Sequence, residues 1–175
     1  PNAGTTQLST ISFSQDAFIC ELSSAGNFIW AKRIGGANSD ELRALDLDNS
    51  ENILVAGSFR NSVDFDPGAG SFILQTAGST LDDIFIAKYS PNCDFMWARQ
   101  IGTDDGNYYD ENVNDLAVDP SGNVCIVGFF YHTVDFNPGT GIFNLSTSLN
   151  RNTFVASYNA IGAFNYAFSF EMESL

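Results

Sequence analysis

The sequence predicts an all-β chain built from repeated antiparallel sheets, and three observations predict it. The 175 residues carry 16 Phe and 15 Gly, with Val, Ile and Thr beside them, a composition that suits pleated, half-buried strands. No segment spaces its apolar residues at 3.6 with caps at its ends, so no long helix is expected. The chain is also self-similar, with blocks that return every 66 to 71 residues.

The first block is a strand pair. It reads DAFICELSSAGNFIWAKRIGG from Asp16, DIFIAKYSPNCDFMWARQIG from Asp83 and NTFVASYNAIGAFNYAFSF from Asn152. Phe18, Phe85 and Phe154 align at spacings of 67 and 69, and Trp30, Trp97 and Tyr166 keep the same spacings. The second block is LRALDLDNSENILVAGSF from Leu42 and NDLAVDPSGNVCIVGFF from Asn114. It aligns Asp48 with Asp119, Asn52 with Asn123 and Gly57 with Gly128, each 71 apart. The third block, PNAGTTQL, PGAGSFIL and PGTGIFNL, aligns Pro1, Pro67 and Pro138.

Each period then reads as strands in order. ALDLD alternates, with Leu45 and Leu47 expected inward, and Leu116 and Val118 likewise in the second copy. The turn residues DNSEN or DPSGN follow, then ILVAGSF or VCIVGFF. A Pro-Gly turn leads into FIL, which is expected to be a hairpin extension, because a meander returning to its starting face needs an even number of strands. DIFIAKY, a turn and FMWARQI complete the period. Four-stranded meanders of this length cannot cover both faces alone, so they read as propeller blades stacked on one another. Trp30 and Trp97 are expected to wedge between sheets, and Gly57 and Gly128 to let adjacent sheets approach. The predicted fold is an open arc of about two and a half antiparallel β-propeller blades, a segment of a larger propeller. Residues 1–41 would be the end of one blade, 42–113 a complete blade, and 114–175 a diverged blade truncated at its C-terminus. Apolar blade faces should be exposed at both ends.

The pattern DxF, GNF.WAK, GN..V.G.F and VDFDPG is similar to the bacterial SBBP (seven-bladed β-propeller) repeat, over essentially the whole chain. The resemblance implies a secreted or cell-surface bacterial protein, and it brings no catalytic residues with it. The third copy departs from the pattern, with Tyr166 for Trp, Phe168 for the base at 32 and 99, and Asn152 for Asp.

Composition sets further bounds. A net charge of −14, from 21 acids against 7 bases, argues against nucleic acid as partner, because phosphates need a basic face. No apolar run approaches the roughly 18 residues of a membrane span. The three cysteines make no disulfide framework. Cys20 aligns with Ala87 and Ala156, Cys93 with Gly26 and Gly162, and Cys125 with Leu54. Each is expected to fill a small or apolar packing slot.

Candidate sites follow from comparing copies. Asp66 and Asn137 precede Pro-Gly and share only a short acceptor, the chemistry of a turn. Asp64 and Asp135 are both Asp although the turn does not need them. Two roles fit: a carboxylate accepting N–H groups across the loop, or an oxygen ligand for Ca²⁺. DLDNSEN at 46–52 loses Asp46 and Glu51 in its second copy, so an Asx-stabilised hairpin explains it better than a calcium loop. GTDDGNYYDEN at 102–112 contains a four-residue insertion. Its Asp104, Asp105, Tyr108, Tyr109, Asp110 and Glu111 are candidates for a cation or carbohydrate contact surface, or form a solvated acidic loop. In a four-stranded blade this loop shares a face with Asp64 and Asp135. His132 is the only histidine and aligns with Asn61; no second ligand for zinc and no nucleophile elbow accompany it.

The expected function is a non-catalytic scaffold or recognition platform with no cofactor beyond a possible Ca²⁺. Its partners would be neighbouring blades of the same protein and an extracellular protein or carbohydrate. The alternatives are an extracellular glycan hydrolase or lyase with an acidic cleft on the loop face, and a calcium-stabilised adhesin.

Overall fold

The computed structural model describes residues 7–12, 14–76, 82–102, 111–147 and 151–171. The described residues form antiparallel strands and no helix. Strands β1 (Ala17–Leu22) and β2 (Phe28–Ile34) form a two-stranded half blade. The first complete blade contains β3 (Glu41–Leu47) and β4 (Ile53–Arg60). A small hairpin of β5 (Ser62–Asp64) and β6 (Ile73–Gln75) projects from it before β7 (Asp82–Tyr89) and β8 (Phe95–Ile101) complete the sheet. The second blade repeats this plan with β9 (Asn112–Val118), β10 (Val124–Phe130), the hairpin β11 (Thr133–Asp135) and β12 (Asn144–Ser146), then β13 (Asn152–Tyr158) and β14 (Phe164–Phe170). The blade orders are β3-β4-β7-β8 and β9-β10-β13-β14. The FIL segment is the expected hairpin extension: β6 pairs only with β5, Val63 opposite Leu74.

Both blades share one register. Gly57 lies opposite Phe85, and Gly128 opposite Phe154. These glycines act within a blade, and not between sheets as their spacing suggested. A bulge brings the neighbouring strand so close that a Cβ at Gly57 would lie 1.9 Å from the Glu41 carbonyl oxygen, and one at Gly128 2.0 Å from that of Asn112. The glycine therefore serves backbone approach across a single β-ladder.

Each blade is held by the same aromatic triad. Phe59, Phe65 and Phe85 meet with centroids 4.8 to 6.3 Å apart, and Phe130, Phe136 and Phe154 at 4.8 to 6.4 Å. Tyr89 donates its hydroxyl proton to the Phe65 carbonyl at 3.0 Å, and Tyr158 to that of Phe136 at 2.9 Å. VDF is thus a core motif: Val63, Phe65, Val134 and Phe136 are all buried.

Two cores lie between the sheets. One joins the half blade to the first blade through Ile19, Ile34, Val55, Phe85 and Ala87. The other joins the two complete blades through Leu54, Ala56, Ile86, Trp97, Leu116 and Ile126. The first blade is therefore covered on both faces, and every residue of Ile53–Phe59 is buried.

Position along the stack decides burial where the sequence is nearly constant. Leu116 is 6% exposed, yet its equivalent Leu45 is 47% exposed, and Leu47 is exposed too. Both had been expected inward. They face the side where the half blade offers only β1 and β2. Cys20 is likewise exposed, against its packing expectation, whereas its equivalents Ala87 and Ala156 are buried. Cys125 is half-buried. Cys93 is buried with φ of 62°, in the left-handed region that Gly26 and Gly162 also occupy.

Candidate functional site

The Pro-Gly loops follow β5 and β11. Asp64 accepts hydrogen bonds on Oδ1 from the Asp66 N–H at 3.0 Å and the Phe72 N–H at 2.8 Å. Asp135 repeats this with Asn137 at 2.9 Å and Phe143 at 2.8 Å. One oxygen thus ties both ends of an eight-residue loop. Asp66 then accepts the Gly68 N–H, and Asn137 the Gly139 N–H, the local turn bonds that either side chain can make. Burial works against ionisation of Asp64, but the Phe72 and Asp66 amides and the Ser71 hydroxyl outweigh it and hold the carboxyl below the usual range.

The connection from β2 to β3 reaches the same edge of the sheet. Buried Asp40 accepts the Gly36 N–H at 2.7 Å and the Arg60 N–H, at the end of β4, at 3.2 Å. A Cβ at Gly36 would lie 2.3 Å from the Ser62 carbonyl oxygen. The fourth-to-first and second-to-third connections therefore share one face. Burial pushes the Asp40 carboxyl up to about 6, against the lowering effect of the two amides; the carboxylates of Asp16 and Asp82 push it further up. Asp16 holds Arg33 at 2.7 Å, and Asp82 holds Arg60 at 2.5 Å. A cleft of about 470 Å³ opens beside these residues, with Ile11, Lys32, Arg33, Asp64 and Asp66 among its walls.

Of the acidic-loop candidates, Asp104, Asp105, Tyr108, Tyr109 and Asp110 lie outside the described residues. Glu111 is described and is 5% exposed, so it is not part of a solvated surface. It occupies the position of Asp40, one residue before the first strand of its blade. Asp40 was missed as a site residue. Its signal was the acid retained at that position across a connection of different length. His132 has φ of 56° and Asn61 φ of 60°. Both mark the corner leaving the second strand, where their carbonyls accept Thr147 N–H and Thr76 N–H. Asn61 also donates its side-chain amide to Asn38 Oδ1 at 2.7 Å. Among the described residues, no three His, Cys, Asp or Glu side chains gather as a metal-holding group.

The opposite face holds the Asx hairpins. Asp48 accepts the N–H groups of Ser50 and Asn52 and the Asn52 side-chain amide, and Asp119 repeats all three bonds with Ser121 and Asn123. Only Asp48 has a buried cation, Lys88 at 2.8 Å. Burial alone would raise its pKa, yet Lys88 and the surrounding donors hold it far below the ordinary carboxylate value.

No family model matches the chain. It is similar to an uncharacterized WD repeat-containing protein of Acanthamoeba polyphaga mimivirus, 28% identical over 121 residues. The match covers 62% of this chain and 8% of that protein. WD repeats are four-stranded propeller blades, and four-stranded blades are what the registers above describe. These are β-propeller-type repeats. As in such repeats, the blades pack face to face, with Trp97 of the first blade donating its indole N–H to Ala160 of the second at 3.2 Å. No helix of the described residues is long and apolar enough to cross a membrane.

Proposed function

We propose that the chain is a non-catalytic stretch of a secreted or cell-surface propeller, with repeats of the SBBP type, that serves as a scaffold and recognition platform. Residues 42–113 then make one repeat unit, flanked by the end of another at 1–41 and a diverged one at 114–175. The observation that carries this reading is the use made of the repeated acids. Asp64 and Asp135 bind their own loops, Asp48 and Asp119 their own hairpins, and Asp40 the corner of β4. What recurs between blades is framework, and what varies is the connection at 102–111.

That insertion is the place where a ligand would be read, by Asp104, Asp105, Tyr108, Tyr109 and Asp110, since loops on a rigid frame carry recognition. Binding and hydrolysis screens on a glycan panel, run with the full-length protein, test it. Binding without turnover, lost when Asp104, Asp105 and Asp110 become Asn, is the expected result. Turnover of any glycan would overturn the non-catalytic reading. Calcium is tested separately at Asp64 and Asp135, by thermal melting at millimolar Ca²⁺. A calcium-stabilised frame should melt higher, and an unchanged melting temperature excludes it.

A further inference from the structure

The cleft of about 470 Å³ beside the first Pro-Gly loop is closed by three parts of the chain. Strand β2 supplies Lys32 and Arg33, the loop supplies Asp64, Asp66 and Pro67, and the segment ahead of β1 supplies Ile11. Two of these four charges are spent on the fold. Arg33 is held by Asp16 at 2.7 Å, and Asp64 by the amides of its own loop. The other two are not. Lys32 makes no hydrogen bond or ion pair among the described residues. Asp66 accepts the Gly68 N–H on Oδ1 only. Its Oδ2 faces Gly70, where an added Cβ would lie 2.2 Å away, so the missing side chain leaves that oxygen uncovered.

The next interface fills the same positions differently. Arg99 stands where Lys32 does, and its guanidinium is taken up by the carbonyls of Ile161 and Gly162. Asn137 stands where Asp66 does. It makes the same turn bond to Gly139 and turns an amide Nδ2 toward Gly141. The blade therefore builds its loop without the second carboxylate oxygen that Asp66 carries. Lys32 and Asp66 are a free donor and a free acceptor in one cleft, and the framework requires neither.

The charges of the lining cancel, two cations against two carboxylates. The cleft thus favours neither a free anion nor a free cation. A neutral ligand must then supply an acceptor for Lys32 and a donor for Asp66, and lay apolar surface against Ile11 and Pro67. A sugar ring meets all three needs, because each hydroxyl both donates and accepts and the C–H face is apolar.

We propose that this cleft is a binding site for a neutral saccharide, with one hydroxyl held by Lys32 and another by Asp66. The site is distinct from the connection at 102–111 and does not rest on recognition there.

Glucose, galactose, maltose, cellobiose and lactose are the probes, each titrated to millimolar concentration while the amide resonances of the chain are followed. At least one should shift Lys32, Gly68 and Gly70 and leave Gly139 and Gly141 in place. Asp66→Asn should weaken that binding at least about tenfold, and Asn137 shows that the turn itself accepts the change. Lys32→Met should weaken it to a similar degree. Silence from every sugar would overturn the proposal, as would equal shifts at Gly139 and Gly141 or binding that survives Asp66→Asn. Tighter binding of glucuronate or glucosamine than of the neutral sugars would overturn the neutral class. Binding lost in Asp104→Asn but kept in Asp66→Asn would place the sugar at the insertion and remove it from the cleft.

Discussion

The two inter-blade contacts of this chain use the same positions and close differently. Between the complete blades, Trp97 and Arg99 grip three successive carbonyls of the β13–β14 turn. The indole N–H bonds Ala160, and the guanidinium bonds Ile161 at 3.0 Å and Gly162 at 3.2 Å, with its carbon 5.6 Å from the Trp97 ring centre. Between the half blade and the first blade the aligned residues are Trp30, Lys32 and the turn at 91–93. Here the Trp30 indole nitrogen is buried with no hydrogen-bond partner among the described residues. The facing turn differs at all three positions, Pro91, Asn92 and Cys93 against Ala160, Ile161 and Gly162. A Cβ at Gly162 would lie 3.0 Å from the Trp97 ring, and Cys93 carries that Cβ. The Cys93 side chain is buried in the core against which Trp30 packs, and burial pushes its pKa up to about 11. Lys32 also lacks the planar fork with which Arg99 spans two carbonyls. A repeat position can thus keep its residue type and lose its bond when the facing turn changes.

The largest expected effect is at Trp97. Trp97→Ala should cost about 3–5 kcal/mol, for a buried ring and a cross-blade bond, whereas Trp30→Ala should cost less than half of that. Chemical denaturation of the two variants measures the gap, and equal losses would break the contrast. Gly162→Cys should come next, at about 2–3 kcal/mol, since it adds left-handed strain to a clash with Trp97. The same technique, with Trp emission as probe, should show Trp97 driven toward the environment of Trp30. Cys93→Gly is the reverse change and should leave stability level or raise it by about 1 kcal/mol, as the φ of 62° is relaxed and Trp30 reaches a carbonyl. A loss above that size would show that the thiol's packing outweighs the missing bond.

The pH profile separates the two faces of the first blade. Asp40 has a folded pKa of about 6, above its unfolded value. The cost of keeping it ionised is fully present above pH 6 and is relieved as pH falls toward 4, by up to about 2 kcal/mol. Asp48 has the opposite sign. Its stabilisation through Lys88 is present above about pH 4 and is lost as pH falls further. Melting temperature should therefore rise from pH 7 to about 4 and then fall. Asp40→Asn should remove the rise, and Lys88→Met should make the fall smaller, since the Asp48 pKa then moves back toward its unfolded value.

The local chemistry of the site was legible in the residues. Asp66 and Asn137 interchange because the bond they make reaches only two residues ahead. Asp48 with Asn52 was readable as a hairpin for the same reason. Asp64 left two roles open, since its second bond goes to Phe72, eight residues away across a loop. Glu111 was misplaced on a wet surface. Nothing in a run of acids tells which of them the next strand carries inward.

By itself the sequence determined the period, the strand order within a blade, the hairpin extension and the turns. All of these rest on contacts between neighbours along the chain or on residues that recur at a fixed spacing. Only the tertiary structure decided what each face meets. Leu45 and Leu116 have the same residue type and the same register, and one is exposed while the other is core. Phe18 is exposed and Phe85 buried for a different reason: among the described residues β1 is paired on one side and β7 on both. Burial in a stacked sheet depends on the blade next door, and so a residue's own sequence context cannot contain it.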